Sequence, residues 1–337
     1  MKKRVWMILT LVLMIILAGC QQANDSDKKG EEDELHEMTM MLDWYPNAVH
    51  TFLYVAKEKG YFEAEGLDVT FQFPANPTDP LTLAAAGKVT MGLYYQPDVI
   101  QAVANEQVPI KSVAAVVRSP LNHLVFRSED PIERPKQLEG KKVGYPGIPI
   151  NESLVKTMVE NDGGDYEKVD LVNVEFELGS SLISKQVDAI SGAFVNHEVP
   201  QLKSEGHQVD FINPVDFGVP SYYELVAVAS DATIENEREE LEGFWRAARK
   251  GFHFMKDHPE EALQILLDAQ DEVNFPLSEQ VETESMDILL PKMESDENFG
   301  LQQPSSWDET GQWLLEHKLI EEVPTSENVM LQLDGLK

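Results

Sequence analysis

Apolar positions along this chain follow two periods that alternate. From residue 38 onward, short runs with strand character are separated by segments whose apolar residues recur at helical spacing. Strands are predicted over residues 38–43, 67–73, 89–93 and 110–117, with helices over 50–60, 81–86 and 98–105 between them. Gly60 and Gly87 stand where two of those helices should end. Pro131, Pro135 and Gly140 punctuate the chain, and a second set follows. It has strands at 141–145, 169–176, 187–191 and 209–212, with helices at 151–160 and 199–206. An apolar strand at 225–229 comes next, and beyond it the pattern is helical. There Leu241, Phe244, Trp245, Ala248, Phe252 and Met255 share one helical face, which reads as core. Repeated strand–helix units predict an α/β fold with mostly parallel, doubly wound sheets. Two such groups and a helical return predict two α/β lobes joined by a hinge that the chain crosses twice. Lobe I is expected to comprise residues 38–126 and 223–337, and lobe II residues 127–222.

Before residue 38 the pattern is of another kind. Lys2, Lys3 and Arg4 precede an apolar run over residues 5–17, broken only by Thr10 and ending in Leu17-Ala18-Gly19-Cys20. A membrane-spanning helix needs roughly 20 apolar residues, so this run is too short. Residues 1–19 are expected to be a secretory signal. Cys20 is the only cysteine, which excludes an intramolecular disulfide. The Leu-Ala-Gly-Cys ending resembles a bacterial lipobox, which implies that Cys20 is diacylated and becomes the mature N-terminus. Stable anchoring takes two lipid signals, and a diacylated cysteine has them. Residues 21–37 hold seven acids against two lysines without apolar spacing. With Cys20 they are expected to form a disordered tether.

About 300 residues remain for the folded part, enough for two domains of ordinary size. A formal charge of −32 argues against nucleic acid, whose partners carry basic patches, and against adhesion to anionic lipid beyond the anchor. It reads as a strongly solvated surface, and a monomer is expected. No Gly-x-Ser-x-Gly, Gly-rich phosphate loop or His-Glu-x-x-His occurs. His123, His197 and His207 lack metal-ligand spacing. The expectation is therefore no catalytic residue, no metal and no cofactor.

Ligands of open α/β sheets bind beyond the carboxyl ends of the strands. The loop after the first strand holds Asp43, Trp44, Tyr45, Pro46, Asn47 and His50. Asn47 there is also a plausible helix N-cap, and Trp44 could equally be core. Tyr94 and Tyr95 follow the third strand, Tyr145 ends a strand of lobe II, Asn196 and Glu198 follow another, and Tyr222 precedes the returning strand. Glu198 could also serve only the N-terminus of the helix after it. These loops carry rings, amides and acids but no Lys or Arg. Such a lining suits a flat, nitrogen-rich ring, stacked by aromatic faces and read at its edge by polar groups. It does not suit phosphate or sulfonate.

Leu42-Asp43-Trp44-Tyr45-Pro46-Asn47 with His50, then Gly60-Tyr61-Phe62 and Gly66-Leu67-Asp68-Val69, resemble the opening of the thiamine-pyrimidine group of solute-binding proteins. Gly87–Gly92, Gly140–Tyr145 and Val187-Asp188-Ala189 extend the resemblance, which runs from about Met38 to Met255. It implies a type II periplasmic-binding fold and an extracytoplasmic lipoprotein that hands its ligand to an ABC permease and ATPase. It points to N-formyl-4-amino-5-aminomethyl-2-methylpyrimidine as that ligand, bound by Trp44 and one of Tyr94, Tyr95 or Tyr222. Asp43, Asn47 or His50 from one lobe and Asn196 or Glu198 from the other would bond the ring edge. Hydroxymethylpyrimidine or a sulfonate is the alternative ligand. The same family includes a pyrimidine-building enzyme, in which His50 would be the donor histidine and Lys59 would carry pyridoxal phosphate. That enzyme's cysteine-rich run is absent at Ser221-Tyr222-Tyr223-Glu224-Leu225-Val226.

Overall fold

A computed structural model describes residues 35–293 and 299–336. The expected signal segment, Cys20 and most of the tether lie outside the described residues. Among the described residues, ten strands form two five-stranded sheets. The first contains β1 (His36–Met41), β2 (Leu67–Gln72), β3 (Met91–Tyr94), β4 (Ile110–Val117) and β10 (Leu225–Ser230), in the order β2-β1-β3-β10-β4. The second contains β5 (Asn122–Arg127), β6 (Lys142–Tyr145), β7 (Asp170–Asn173), β8 (Ala189–Phe194) and β9 (Val209–Ile212), in the order β7-β6-β8-β5-β9. His36 and Glu37, expected in the tether, already pair with Leu67 and Asp68 as part of β1.

The two sheets share one plan. β1 runs parallel to β2 and β3, and β6 runs parallel to β7 and β8. One antiparallel strand is inserted into each: β10 between β3 and β4, and β5 between β8 and β9. Each inserted strand follows a crossing from the other lobe. One crossing lies between Val117 and Asn122, the other between Ile212 and Leu225. The first falls ahead of the expected boundary at 126/127, because β5 pairs within the second sheet. β5 escapes a periodicity reading because it opens with Asn122 and His123. All six of its residues are nonetheless buried, as befits a strand covered on both faces. β2, at the edge, alternates instead: Leu67 and Val69 are buried, Asp68 and Thr70 exposed.

The long apolar face read from the sequence belongs to the 20-residue helix Arg238–Asp257, and all six of its marked residues are fully buried. Phe252 stacks on Phe299 at 4.2 Å. This helix crosses the helix Thr51–Glu58 at Gly251, where the backbones meet without an intervening side chain. A Cβ on Gly251 would stand 2.2 Å from the carbonyl oxygen of Phe52 and 3.0 Å from the Cβ of Ala56. Alanine would favour an isolated helix by roughly 1 kcal/mol. Backbone cannot yield as a side chain does, so the clash should win, at about 1–3 kcal/mol. Gly251→Ala is therefore expected to lower the melting temperature. A rise on thermal denaturation would contradict this crossing.

Candidate functional site

The turn after β1 is built by its own side chains. Asn47 caps the short 3-10 helix Ala48–His50, its Oδ1 accepting from the Val49 N–H at 3.0 Å. The Asn47 N–H donates to His50 Nδ1 at 3.1 Å. With Nδ1 accepting, Nε2 carries the proton and donates to Asp43 Oδ1 at 2.9 Å. The second oxygen of Asp43 lies 3.4 Å from the Tyr95 hydroxyl, which donates to it. His50 is fully buried. It sits behind Asp43 with both nitrogens engaged and aims Asp43 rather than reaching a ligand. The whole turn is fastened to the C-terminal helix Glu279–Met293, where Glu282 accepts from the Ala48 N–H at 2.7 Å.

Tyr94 and Tyr95 follow strand alternation. Tyr94 is buried and packs on Tyr95 at 4.9 Å. Tyr95 turns toward lobe II, where its ring meets Phe194 edge to face at 6.3 Å. Trp44 reaches across to Phe176 at 4.6 Å, and Tyr45 stacks on Phe275 at 4.2 Å.

Lobe II answers with amides. The Asn122 amide donates through Nδ2 to Asn151 Oδ1 at 2.7 Å and accepts through Oδ1 from the Gly192 N–H at 2.8 Å. Gly192 has φ +104°, and a Cβ there would lie 2.7 Å from Pro146 Cδ. Only glycine allows this turn to sit so close. Glu198 opens the helix Glu198–Ser204 and folds back, its Oε2 accepting from the Phe194 N–H at 2.6 Å. It therefore steadies the turn, the helix-end role, and at the same time faces the cleft.

Two further carboxylates sit where the lobes join. Asp98, in the helix Gln96–Glu106, accepts at 2.9 Å from the Ile150 N–H, in the first turn of the lobe II helix Pro149–Asn161. Glu224 accepts from the N–H groups of Leu121 and Asn122 at 2.6 and 2.9 Å and from the Tyr222 hydroxyl at 3.3 Å. Burial raises both carboxyls against those hydrogen bonds, Asp98 well above the usual range and Glu224 to about 7. Burial also raises Glu198, with His197 opposing, and holds the Tyr95 phenol well up, with Asp43 adding to it.

These elements enclose one pocket. Its lining includes Asp43, Trp44, Asn47 and Tyr95 from lobe I, with Asn122, Asn151, Gly192, Phe194, His197 and Glu198 from lobe II. No Lys or Arg lines it. Its cavity volume is about 20 Å³, room for about one water. A planar six-membered ring therefore needs the lobes or side chains to part. Trp44, His197 and Glu198 also border a wider groove of about 940 Å³ outside.

Five of the residues singled out in the sequence meet at this pocket: Asp43, Trp44, Asn47, Tyr95 and Glu198. Five do not line it. His50 backs Asp43, and Tyr94 and Tyr222 are buried in the core. Tyr145 is half-buried on β6. Asn196 donates to Ser285 Oγ at 3.0 Å, tying lobe II to the helix Glu279–Met293. Two lining residues carry no signal in the sequence: Asn122, at the start of β5, and Asn151, in the first turn of the helix Pro149–Asn161. Lys59 lies elsewhere, paired with Glu261 at 2.7 Å and set over Phe254. Among the described residues no cluster suited to a metal ion occurs.

Two lobes of one plan, a double crossing and a pocket walled by both define a solute-binding protein of the periplasmic-binding fold. A solved structure of the alkanesulfonate-binding protein SsuA from Xanthomonas axonopodis pv. citri, bound to MOPS, has TM-score 0.70 to this chain at 12% identity. It covers 88% of this chain and 99% of that one, and the likeness concerns the fold alone. The profile of the family described as NMT1/THI5 like matches residues 47–262, and the chain belongs to that family. It is 52% identical to a formylaminopyrimidine-binding protein of Halalkalibacterium halodurans, over 95% of this chain and 96% of that one. A 4-amino-5-hydroxymethyl-2-methylpyrimidine phosphate synthase of Legionella pneumophila is more distant, 22% identical over 85% of this chain and 88% of its own.

Glu224 makes one stability prediction. Its unfolded value is near 4.5 and its folded value about 7. Between these, the folded state holds the proton that the unfolded state has lost. Stability from this group is thus present below pH 4.5 and is lost as pH rises through 7, by up to about 3 kcal/mol. Relative to the parent, Glu224→Gln should gain stability as pH is raised from 5 to 8 in denaturant titrations. A difference independent of pH would contradict the assignment.

Proposed function

We propose that this chain captures an aminopyrimidine outside the cell and presents it to an ABC permease and its ATPase, while Cys20 holds it to the membrane by lipid. N-Formyl-4-amino-5-aminomethyl-2-methylpyrimidine is the ligand that the 52% identical relative favours. The observation that carries the reading is the lining itself: carboxylates from both lobes, Asp43 and Glu198, face one pocket with aromatic walls and no Lys or Arg. A ring with exocyclic amine donors supplies what those acceptors lack, and Trp44 and Tyr95 offer it faces. An anionic ligand would meet like charge. The ligand enters between parted lobes and bonds to both. Closure then follows from its greater affinity for the closed form.

The enzyme reading finds no support at the pocket. Lys59 is on another face, engaged with Glu261, and the His50 ring is enclosed behind Asp43.

By calorimetry the aminopyrimidine should bind more tightly than taurine, an alkyl sulfonate or nitrate. Tight anion binding without pyrimidine binding would reject the ligand class and leave the transport class standing. Glu198→Gln keeps the acceptor for the Phe194 N–H but removes the charge. Charge-assisted hydrogen bonds are about twice as strong as neutral ones, so affinity should fall by roughly 1–2 kcal/mol, about 5- to 30-fold. An affinity within twofold of the parent, with lowered stability, would leave Glu198 only its helix-end role.

The anchor has its own test. Metabolic labelling with a fatty acid should mark the parent and not Cys20→Ser. Equal labelling would remove lipid attachment from the account.

A further inference from the structure

Glu224 touches no part of the pocket, yet one of its contacts leads there. It directly precedes β10, at the return crossing, and its Oε2 accepts the N–H groups of Leu121 and Asn122 at the outward crossing. A single carboxylate thus fastens both strands of the hinge. The second of those N–H groups belongs to Asn122, whose side chain faces the pocket. The orientation of that amide is set by its partners: the Gly192 N–H requires Oδ1, and Asn151 Oδ1 requires Nδ2. Ser191 Oγ adds a bond to Asn151 Oδ1 at 3.4 Å. Asn122, Asn151 and Ser191 are each at most 2% exposed, and Glu224 is fully buried. A connected, buried polar network therefore runs from the hinge carboxylate to the lobe II wall of the pocket. Networks of this kind act as units.

Burial makes the charge on Glu224 costly and Asp43 adds to that cost, while the hydrogen bonds from Leu121, Asn122 and Tyr222 offset part of it. Tyr222 donates to it from the return crossing, Asp98 approaches from the helix Gln96–Glu106, and Asp43 and Tyr95 approach from the ends of β1 and β3. Glu224 Oε1 has no hydrogen-bond partner. On the outer side of the same crossing, Lys292 reaches Ser119 Oγ and the Pro120 carbonyl at 3.4 Å. No structural need for a buried acid is met here that a neutral acceptor could not meet, except stronger bonds to the two hinge N–H groups.

We propose that Glu224 is a positioning residue for ligand binding: through the hinge N–H of Asn122 it braces the Asn122–Asn151–Gly192 wall. Its charge sets how firmly the closed pocket holds its ligand. This rests on the aminopyrimidine reading above for the ligand and on the network alone for the bracing.

The test pairs Glu224→Gln with pH. Gln keeps one acceptor oxygen and loses the charge, so it mimics the protonated acid at every pH. For the parent, affinity for the aminopyrimidine in calorimetry should rise as pH is taken from 5.5 to 8.5. For Glu224→Gln the rise should be smaller, with affinity about 5- to 20-fold weaker than the parent at pH 8.5 and within twofold at pH 5.5. In the Asn122→Ala background the same change should have little further effect at pH 8.5, since the link is already cut. A readout without ligand separates failure of the bracing from failure of the ligand assignment. The Gly192 amide proton resonance of the parent should titrate together with that of Asn122, and hydrogen exchange at Gly192 should quicken in Glu224→Gln. This readout on the parent also decides the matter if the variant does not fold. A variant affinity equal to the parent's at pH 8.5, or a Gly192 amide indifferent to pH, would overturn the proposal.

Discussion

The hydrogen bonds that backbone N–H groups of lobe II and of the outward crossing give to two buried carboxylates tie the lobes together at the hinge. Asp98 receives the N–H of Ile150 and Glu224 those of Leu121 and Asn122. Both acids are buried, and burial raises both carboxyls, so the charged form of each is held only against the cost of desolvation. Burial without such partners would be prohibitive. The acids and the N–H groups therefore depend on each other. That coupling places the hinge and the pocket in one polar region, with Asp43 and Glu198 at its ligand-facing end.

This arrangement also separates the two activities found among relatives. The fold is shared with an alkanesulfonate-binding protein, but no Lys or Arg lines the pocket here. The family is shared with pyrimidine phosphate synthases, but Lys59, the residue that would carry their cofactor, follows the helix Thr51–Glu58 and lies over Phe254, away from the pocket. In the proposed function the pocket recognises hydrogen-bond donors on a flat ring and the two lobes move around it.

The alternation of strand and helix periods made the two-lobed fold legible, because both sheets are buried by helices and so leave near-continuous apolar runs. The lobe boundary was less legible. Asn122 and His123 look like loop residues until their partners are seen: the Asn122 amide satisfies Asn151 and Gly192, and His123 Nδ1 meets the Leu121 carbonyl at 2.8 Å. Those partners are up to 70 residues away, and no local pattern announces them. The turn after β1 shows the opposite case. Asn47, His50 and Asp43 are neighbours in sequence, so their chemistry was visible, but not that His50 would be turned inward by the Asn47 N–H. Tyr94 and Tyr95 differ only by the strand's period of two, which assigns one to the core and one to the cleft. Tyr222 gave no such signal. Its ring fills the hinge core and its hydroxyl serves Glu224.

The central claim is that carboxylates from both lobes select an aminopyrimidine. It is tested most directly by identifying the small molecule carried by the protein as purified from its native membrane, released by denaturation and weighed by mass spectrometry. The account predicts one substituted 4-aminopyrimidine per chain. A sulfonate or other anion, or pyridoxal recovered on Lys59, would contradict it.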